Sequence, residues 1–190
     1  MFAEALRKQL PLLQIELSDN QICQLEQHFN LLNRWNRVMN LTSIEYLDEM
    51  VQRHYCESLF LGRCLPQEAL KIVDVGSGPG FPGVPIAVLR PDCQVALLES
   101  NRRKSVFLRE ATRALPNALV IPERSQQVSE LFDWAVSRAV SYREIEGSLG
   151  RLASNVALLS GEDCPDDRFT WNRIKLPWGR HRFVWLRSST

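Results

Sequence analysis

The stretch IVDVGSGPGFPGVPIAVL, residues 72–89, constrains the fold more than any other in the chain. Its opening run is apolar apart from one aspartate, with no polar alternation. Such a strand is buried on both faces and belongs to a parallel sheet covered by helices. Gly76, Gly78 and Gly80 then fall within five residues, the composition that lets backbone turn sharply and approach a ligand closely. A second apolar run follows, with Pro82 and Pro85 in its first turn, where amide hydrogens have no intrahelical partner to lose. Strand, glycine turn and helix in direct succession form the opening unit of an α/β fold whose site lies beyond the strand's C-terminal end.

Further along, KIVDV, CQVALLES, ALVIP, DWAVS and NVALLSG predict strands, and Gly83–Leu89 and Arg102–Leu115 predict the helices between the earlier ones. The tail RFTWNRIKLPWGRHRFVWLR alternates aromatic or aliphatic with basic residues around Pro177–Gly179 and reads as an antiparallel hairpin. Its aromatics Trp171, Trp178, Phe183 and Trp185 read as core rather than as a stacking surface for bases. Residues 1–65 have a helical rhythm instead. SDNQ at Ser18–Gln21 resembles a capping box, and Ile22, Leu25, Phe29, Leu32, Trp35 and Met39 recur at three- and four-residue steps. A further helix is expected over about Ile44–Leu65, with Leu47, Val51, Tyr55 and Leu59 buried. The organisation is therefore a helical extension over residues 1–65 and an α/β unit over 66–190.

At 190 residues and 45% hydrophobic, the chain has enough apolar surface for one well-buried core. It shows no membrane-length apolar run, and MFAEALRKQLPLLQ lacks the features of a signal peptide, so a cytoplasmic protein is expected. Five scattered cysteines with no C-x-x-C read as reduced, mostly buried thiols, and no metal site is expected, including one built from His54, Cys56 and Cys64. Net charge is +1, yet residues 101–190 carry fifteen Lys and Arg against ten Asp and Glu, which permits a polyanionic partner without requiring one.

Three ligand classes compete for DVGSGPGFPG. A phosphate-binding P-loop has Lys and Ser or Thr after its second glycine, whereas Val84 and Pro85 follow Gly83. A dinucleotide fingerprint puts a third glycine where Phe81 stands, which weakens that reading without removing it. The remaining pattern places Asp74 two positions before G-x-G-x-G and Glu99 at the end of the next strand, the layout of S-adenosylmethionine-dependent methyltransferases. This ligand carries an ammonium and a ribose diol and no pyrophosphate, so carboxylates suit it. Asp74 is suited to orient the loop or meet the amine through water, and Glu99 to accept both ribose hydroxyls.

LLNRWNRVMNLTS, VQRHYCESL, DVGSGPGFPGVPIAVLRP, LLESNRRKSVFL and FDWAVSRAV, in this order, resemble the ribosomal RNA small-subunit methyltransferase G family, also called glucose-inhibited division protein B. The resemblance implies a Rossmann-like class I methyltransferase fold: a mostly parallel seven-stranded sheet with an antiparallel C-terminal hairpin and an N-terminal helical extension. It implies methyl transfer from S-adenosylmethionine to N7 of one guanine in 16S rRNA, with small-subunit rRNA or a ribosomal particle as partner. A monomer with no DNA and no membrane partner is expected. Asp74, Gly78 and Gly80 are cofactor-binding candidates from the loop pattern itself, and the resemblance adds Gly76, Phe81, Glu99, Ser125, Gln126 and Arg138, although a glutamate is usual where this chain has Gln126. Arg138, Arg53 and His54 are candidates for positioning the reactants, and Arg53, Arg102, Arg103 and Lys104 for binding RNA. After the fifth strand the chain departs from the family, with Ser160-Gly161 where a Lys-Gly turn is usual and a shorter segment before the hairpin.

Guanine N7 has a lone pair and no proton, so no general base is expected and catalysis rests on holding the reactants in line. The other classes open at this point are a silent RNA-binding or assembly protein on the same fold and a nicotinamide-dependent oxidoreductase.

Overall fold

The structure, a computed structural model, describes residues 1–138, 142–179 and 181–189. Helices α1 (Phe2–Leu13), α2 (Asp19–Met39), α3 (Leu47–Met50) and α4 (Glu57–Cys64) come first, α3 and α4 being joined by a π-helical segment, Val51–Cys56. There follow β1 (Lys71–Val75), α5 (Gly83–Leu89), β2 (Gln94–Leu98), α6 (Arg102–Ala111), β3 (Ala118–Ile121), β4 (Phe132–Arg138), α7 (Tyr142–Leu152), β5 (Ala153–Ser160), β6 (Asn172–Lys175) and β7 (Phe183–Arg187).

The seven strands form one sheet in the order β3-β2-β1-β4-β5-β7-β6. The first five pair in parallel, with Ile72 opposite Val95 and Trp134 on its two sides, while β7 runs antiparallel to both β5 and β6. Strand order reverses between β1 and β4, which opens a crevice at their C-terminal ends, where the glycine loop leaves β1.

Alternation along each strand divides the interior in two. Ile72, Leu97, Trp134 and Val136 face a core shared by α5, α6 and the helical extension, in which Leu25, Leu32, Tyr55, Leu59, Ile86 and Phe107 are buried. Val73, Val75, Ala96, Leu98, Ala135 and Val156 face the other way, beneath Leu149 and Leu152 of α7. Each fully buried Leu or Ile contributes about 1.5–3 kcal/mol. The apolar stripe of the extension is thus part of the same core as the sheet. Phe183 and Trp185 are buried, Trp178 packs against the larger core, and Trp171 donates its indole N–H to the Asp166 carbonyl, so the tail aromatics are core.

Ser18 caps α2 as its sequence predicts: the Gln21 amide donates to Ser18 Oγ and the Ser18 amide to Gln21 Oε1. Three expectations need correction. The third helical stretch begins at Leu47 rather than Ile44, because Thr42 Oγ1 accepts the Ile44 amide at 3.2 Å and holds that residue outside the helix. Helix α6 ends at Ala111 rather than Leu115; Thr112 is its C-cap, and Pro116 lies just beyond. Only Cys56 and Cys93 are buried, Cys64 is half-buried, and Cys23 and Cys164 are exposed. Among the described residues, no helix is long and apolar enough to cross a membrane.

Candidate functional site

The loop after β1 is built by its glycines and by what lies beneath it. Gly76, Gly78 and Gly80 all have positive φ, at 75°, 56° and 97°. At Gly80 a Cβ would also sit 2.7 Å from Val84 Cγ2 and 3.2 Å from His28 Nε2, so both backbone and space demand glycine. Gly83 answers to a different constraint: a Cβ there would lie 2.2 Å from Leu97 Cδ2 and 2.7 Å from Asp74 Oδ2. Its absence lets the start of α5 settle onto the Asp74 carboxylate, whose Oδ2 accepts the Gly83 amide at 2.9 Å.

Asp74 is fully buried, and its other oxygen, Oδ1, has no hydrogen-bond partner. Burial raises its carboxyl to about 7, against the Gly83 and Ser77 hydrogen bonds and the Arg138 charge, which lower it. A buried, unsatisfied carboxylate oxygen costs about 1–3 kcal/mol. A bound donor would repair that cost.

Glu99 follows β2 and ties the loop to α6. Its Oε2 accepts the Gly78 amide at 2.9 Å and its Oε1 the Asn101 amide at 2.7 Å. A carboxylate has about four lone-pair positions, so two remain for a ligand. Gly76, Glu99, Ser125 and Gln126 line one cleft of about 310 Å³, together with Leu98 and Ile145. Ser125 is held there by Ser148, with 2.6 Å between the hydroxyl oxygens, and by Arg151, which donates to its carbonyl. Gln126 is exposed.

Arg138, Arg53, His54 and Phe81 come together in a second cluster. Phe81 is only 2% exposed and packs inside the protein, its ring stacked on His54 at 4.6 Å and under the Arg138 guanidinium at 5.2 Å. Of the candidates, Asp74, Gly78, Gly80, Phe81 and Arg138 do not line the 310 Å³ cleft; Asp74 and Gly78 lie behind it, tied to the loop by the Gly83 and Glu99 hydrogen bonds. Arg138 donates to the Arg53 carbonyl at 2.5 Å and to His54 Nδ1 at 2.7 Å. Because a guanidinium only donates, Nδ1 accepts, and Nε2 carries the proton it gives to Thr42 Oγ1 at 2.7 Å. Burial, then the Arg138 and Arg53 charges, hold His54 down to about 3. At neutral pH it is an uncharged spacer with both nitrogens engaged. Burial lowers the Arg138 guanidinium to about 10, with Glu57 opposing, so it stays cationic. No carboxylate pairs with it among the described residues; the nearby Glu57, 1% exposed, is taken by Arg182 of the hairpin, which donates to both its oxygens at 3.2 and 2.5 Å.

Arg102 and Arg103 at the start of α6 are exposed and Lys104 is half-buried; none forms an ion pair among the described residues. They follow Glu99 closely in the chain, and none of the contacts of the Arg138 cluster involves them. The last two residues of the FDWAVSRAV motif, 139 and 140, lie outside the described residues.

Sequence reasoning missed His28. It donates from Nε2 to the Pro79 carbonyl at 3.0 Å and accepts at Nδ1 from the Tyr55 hydroxyl at 2.8 Å, clamping the glycine loop to α2 and the π-helical segment. Burial depresses it to about 4. The signal was available: His28 stands three residues after Leu25 and four before Leu32, on the buried stripe of α2.

Solved structures share the fold. The chain superposes on a SAM-dependent methyltransferase from Aquifex aeolicus with TM-score 0.58 at 12% identity, over 74% of this chain and 93% of that one. It matches magnesium protoporphyrin IX methyltransferase from Synechocystis with TM-score 0.59 at 13% identity, over 90% and 100%. Sequence relatives are nearer. A ribosomal RNA small subunit methyltransferase G from Nitrosococcus oceani is 42% identical over 138 residues, 70% of this chain and 64% of the relative. One from Halorhodospira halophila is 39% identical over 160 residues, 82% of this chain and 76% of the relative. The chain thus spans slightly less than two thirds of the Nitrosococcus protein it matches. Residues 21–151 fit the profile of the rRNA small subunit methyltransferase G family, and with the fold and the relatives agreeing, the chain belongs to that family.

Proposed function

We propose that the protein is a cytoplasmic S-adenosylmethionine-dependent methyltransferase that modifies N7 of a guanine in small-subunit rRNA, as a monomer without DNA or membrane partners. The observation that carries the reading is the loop after β1: three positive-φ glycines over a buried Asp74 whose Oδ1 lacks a donor, with Glu99 bonded to the loop at Gly78 and lining the cleft beside it. A cationic, diol-bearing ligand fits that donor set, and a pyrophosphate does not. Family membership supports the RNA substrate.

S-adenosylmethionine would supply an electrophilic sulfonium methyl. Asp74, Gly76, Gly78, Glu99, Ser125 and Gln126 would hold it, with Gly80 and Phe81 shaping the loop from behind. Arg138, outside that cleft, spends two of its five N–H donors on neutral partners, and its charge and remaining donors would serve the methyl-transfer edge. His54 positions Arg138 and takes no proton. Without a protonated nucleophile the chain needs no base, and positioning alone is worth up to about 7–11 kcal/mol. N7 lies on the major-groove edge, deep and narrow in A-form RNA, so the target guanine is unpaired or flipped out. Arg53, Arg102, Arg103 and Lys104 would meet phosphates. Residues 1–65 would act as a helical extension serving the methyltransferase unit over 66–190.

Mapping of 7-methylguanine by mass spectrometry, in small-subunit rRNA from cells with and without the gene, tests this. One guanine losing its methyl in the deletion, and regaining it on complementation, is expected. An unchanged map, with calorimetry showing no S-adenosylmethionine binding, would instead indicate a silent RNA-binding protein.

A further inference from the structure

The outer sides of α2 and α6 carry two exposed stripes that the site above does not use. On α2, Gln27, Asn30, Arg34 and Arg37 recur at three- and four-residue steps and all are exposed. On α6 and the turn after it, Arg102, Val106, Arg109 and Arg113 do the same, with Arg103 alongside. Residues so spaced share one helix face. The two helices pack through Trp35 and His28 on Phe107, at 5.7 and 5.9 Å between rings, and Arg34 reaches across to Glu110 at 3.1 Å. Between the stripes runs a groove of about 570 Å³, lined by Gln24, Gln27, Asn30, Arg34, Glu110 and Arg113 among others.

The charge of this face departs from that of the chain. Arg34, Arg37, Arg102, Arg103, Arg109 and Arg113 outnumber the carboxylates beside them, Glu110 on α6 and the half-buried Glu26 one turn before Asn30, whereas the whole chain is only +1. Arg37, Arg109 and Arg113 form no ion pair among the described residues. A solvated helix face is normally laced with both signs evenly; predominantly basic rows flanking a groove with Gln24, Gln27 and Asn30 on its α2 side and Leu31, Ala111, Ala114 and Leu115 at its floor suit a polyanion whose bases offer both polar edges and apolar faces. The Arg102-to-Arg109 row spans roughly 10 Å at the helical rise, enough for successive phosphates of one strand. The face also reaches the site at two points: α6 begins three residues after Glu99, and α2 leads into Thr42, the partner of His54.

We infer that the α2–α6 face is a second RNA-docking track, which grips the phosphodiester backbone flanking the target nucleotide while the loop and Arg138 handle the reaction. This rests on the RNA-methyltransferase reading and extends it to Arg34, Arg37, Arg109 and Arg113. Its occupant is RNA backbone, with the groove's amides available to exposed base edges.

The test is the salt dependence of binding to a fluorescein-labelled small-subunit rRNA fragment, followed by anisotropy, for wild type, an Arg37→Ala/Arg109→Ala/Arg113→Ala variant and the corresponding all-Lys variant. Loss of phosphate contacts should reduce the slope of log affinity against log salt by about two and weaken binding about tenfold or more at low salt. The Lys variant should keep the slope, and S-adenosylmethionine affinity should be unchanged in all three. If wild type binds RNA and the Ala variant matches it in slope and affinity, the track is refuted while the methyltransferase reading stands. Normal naked-RNA binding combined with lost methylation of ribosomal particles would assign the face to a ribosomal protein and overturn the inference. Wild type that binds neither RNA nor cofactor overturns both.

Discussion

The two buried histidines should make the protein acid-sensitive, by an amount that follows from their surroundings. His54 is 6% exposed and His28 is 2% exposed. Burial pulls them from the ordinary 6.5 to about 3 and about 4. Each is neutral in the fold and protonates more readily in the unfolded chain, so its contribution is fully present above pH 6.5 and lost as pH falls toward the folded value. Between pH 7 and pH 4 the unfolded histidine takes up a proton that the folded His54 refuses over about 2.5 pH units, which costs about 3 kcal/mol. His28 adds a similar amount. Together they approach the 5–15 kcal/mol stability of an ordinary domain. Asp74 works in the opposite sense: its carboxyl is raised from 3.8 to about 7, so its contribution is present below pH 3.8 and declines as pH rises through 7.

The difference between wild type and His54→Gln isolates one histidine, since glutamine does not titrate and Asp74 and His28 are common to both. Urea unfolding followed by tryptophan fluorescence, at steps from pH 4 to pH 7.5, should give a stability gap that shifts by about 3 kcal/mol in favour of the variant as pH drops. Wild type should be the more stable at pH 7, where the Thr42–His54–Arg138 chain is intact. A gap constant across the range would show that His54 titrates normally in the fold and that the neutral-acceptor role beside Arg138 is wrong.

Glu99→Ala should weaken S-adenosylmethionine binding by about 1.5–3 kcal/mol, because it removes charged acceptors from the ligand and releases the Gly78 amide from its 2.9 Å hydrogen bond; calorimetry giving unchanged affinity would remove Glu99 from the site. Gly78→Val should fold yet lose cofactor binding, since a β-branched residue resists φ of 56°; circular dichroism and calorimetry together check both halves. Asp74→Asn should abolish a limb near pH 7 in cofactor affinity, which in wild type rises with pH as the carboxylate ionises toward a cationic ligand. At saturating cofactor and RNA, the single-turnover rate should stay nearly flat from about pH 6 to 9 in both proteins, because N7 yields no proton; a limb that persists at saturation would point to a different acceptor atom.

The parallel sheet was legible wherever local chemistry and tertiary burial agree. KIVDV became β1 without a shift at either end, and Gly83–Leu89 became α5, because the glycine loop and Arg90 bound both elements sharply. Ser18 was legible for the same reason, as its cap is made within four residues. Errors fall where a distant or side-chain hydrogen bond overrides periodicity. Ile44 keeps the apolar spacing of a helix, yet the Thr42 hydroxyl takes its amide. In the segment VQRHYC, Val51 and Tyr55 are spaced as in an α-helix, and nothing in a 3.6-residue rhythm announces the wider π turn.

That π turn explains why the site was legible as a set of residues and not as an arrangement. Adjacent in sequence, Arg53 and His54 both look like candidates for meeting a ligand. The structure separates them: the Arg53 side chain points to solvent and pairs with Glu49 at 3.2 Å, while its carbonyl and the buried His54 ring together hold Arg138. Arg53 therefore has two separable contributions, a charge outside and a carbonyl inside, and only the first is removed by mutating it. The same logic applies to Phe81, whose buried ring holds the Arg138–His54 stack. A motif records which residue types a chemistry requires. Which face each one shows depends on 51–56 winding one residue wider, on β4 ending at Arg138 and on Arg182 occupying Glu57, contacts that span 84 to 125 residues of chain.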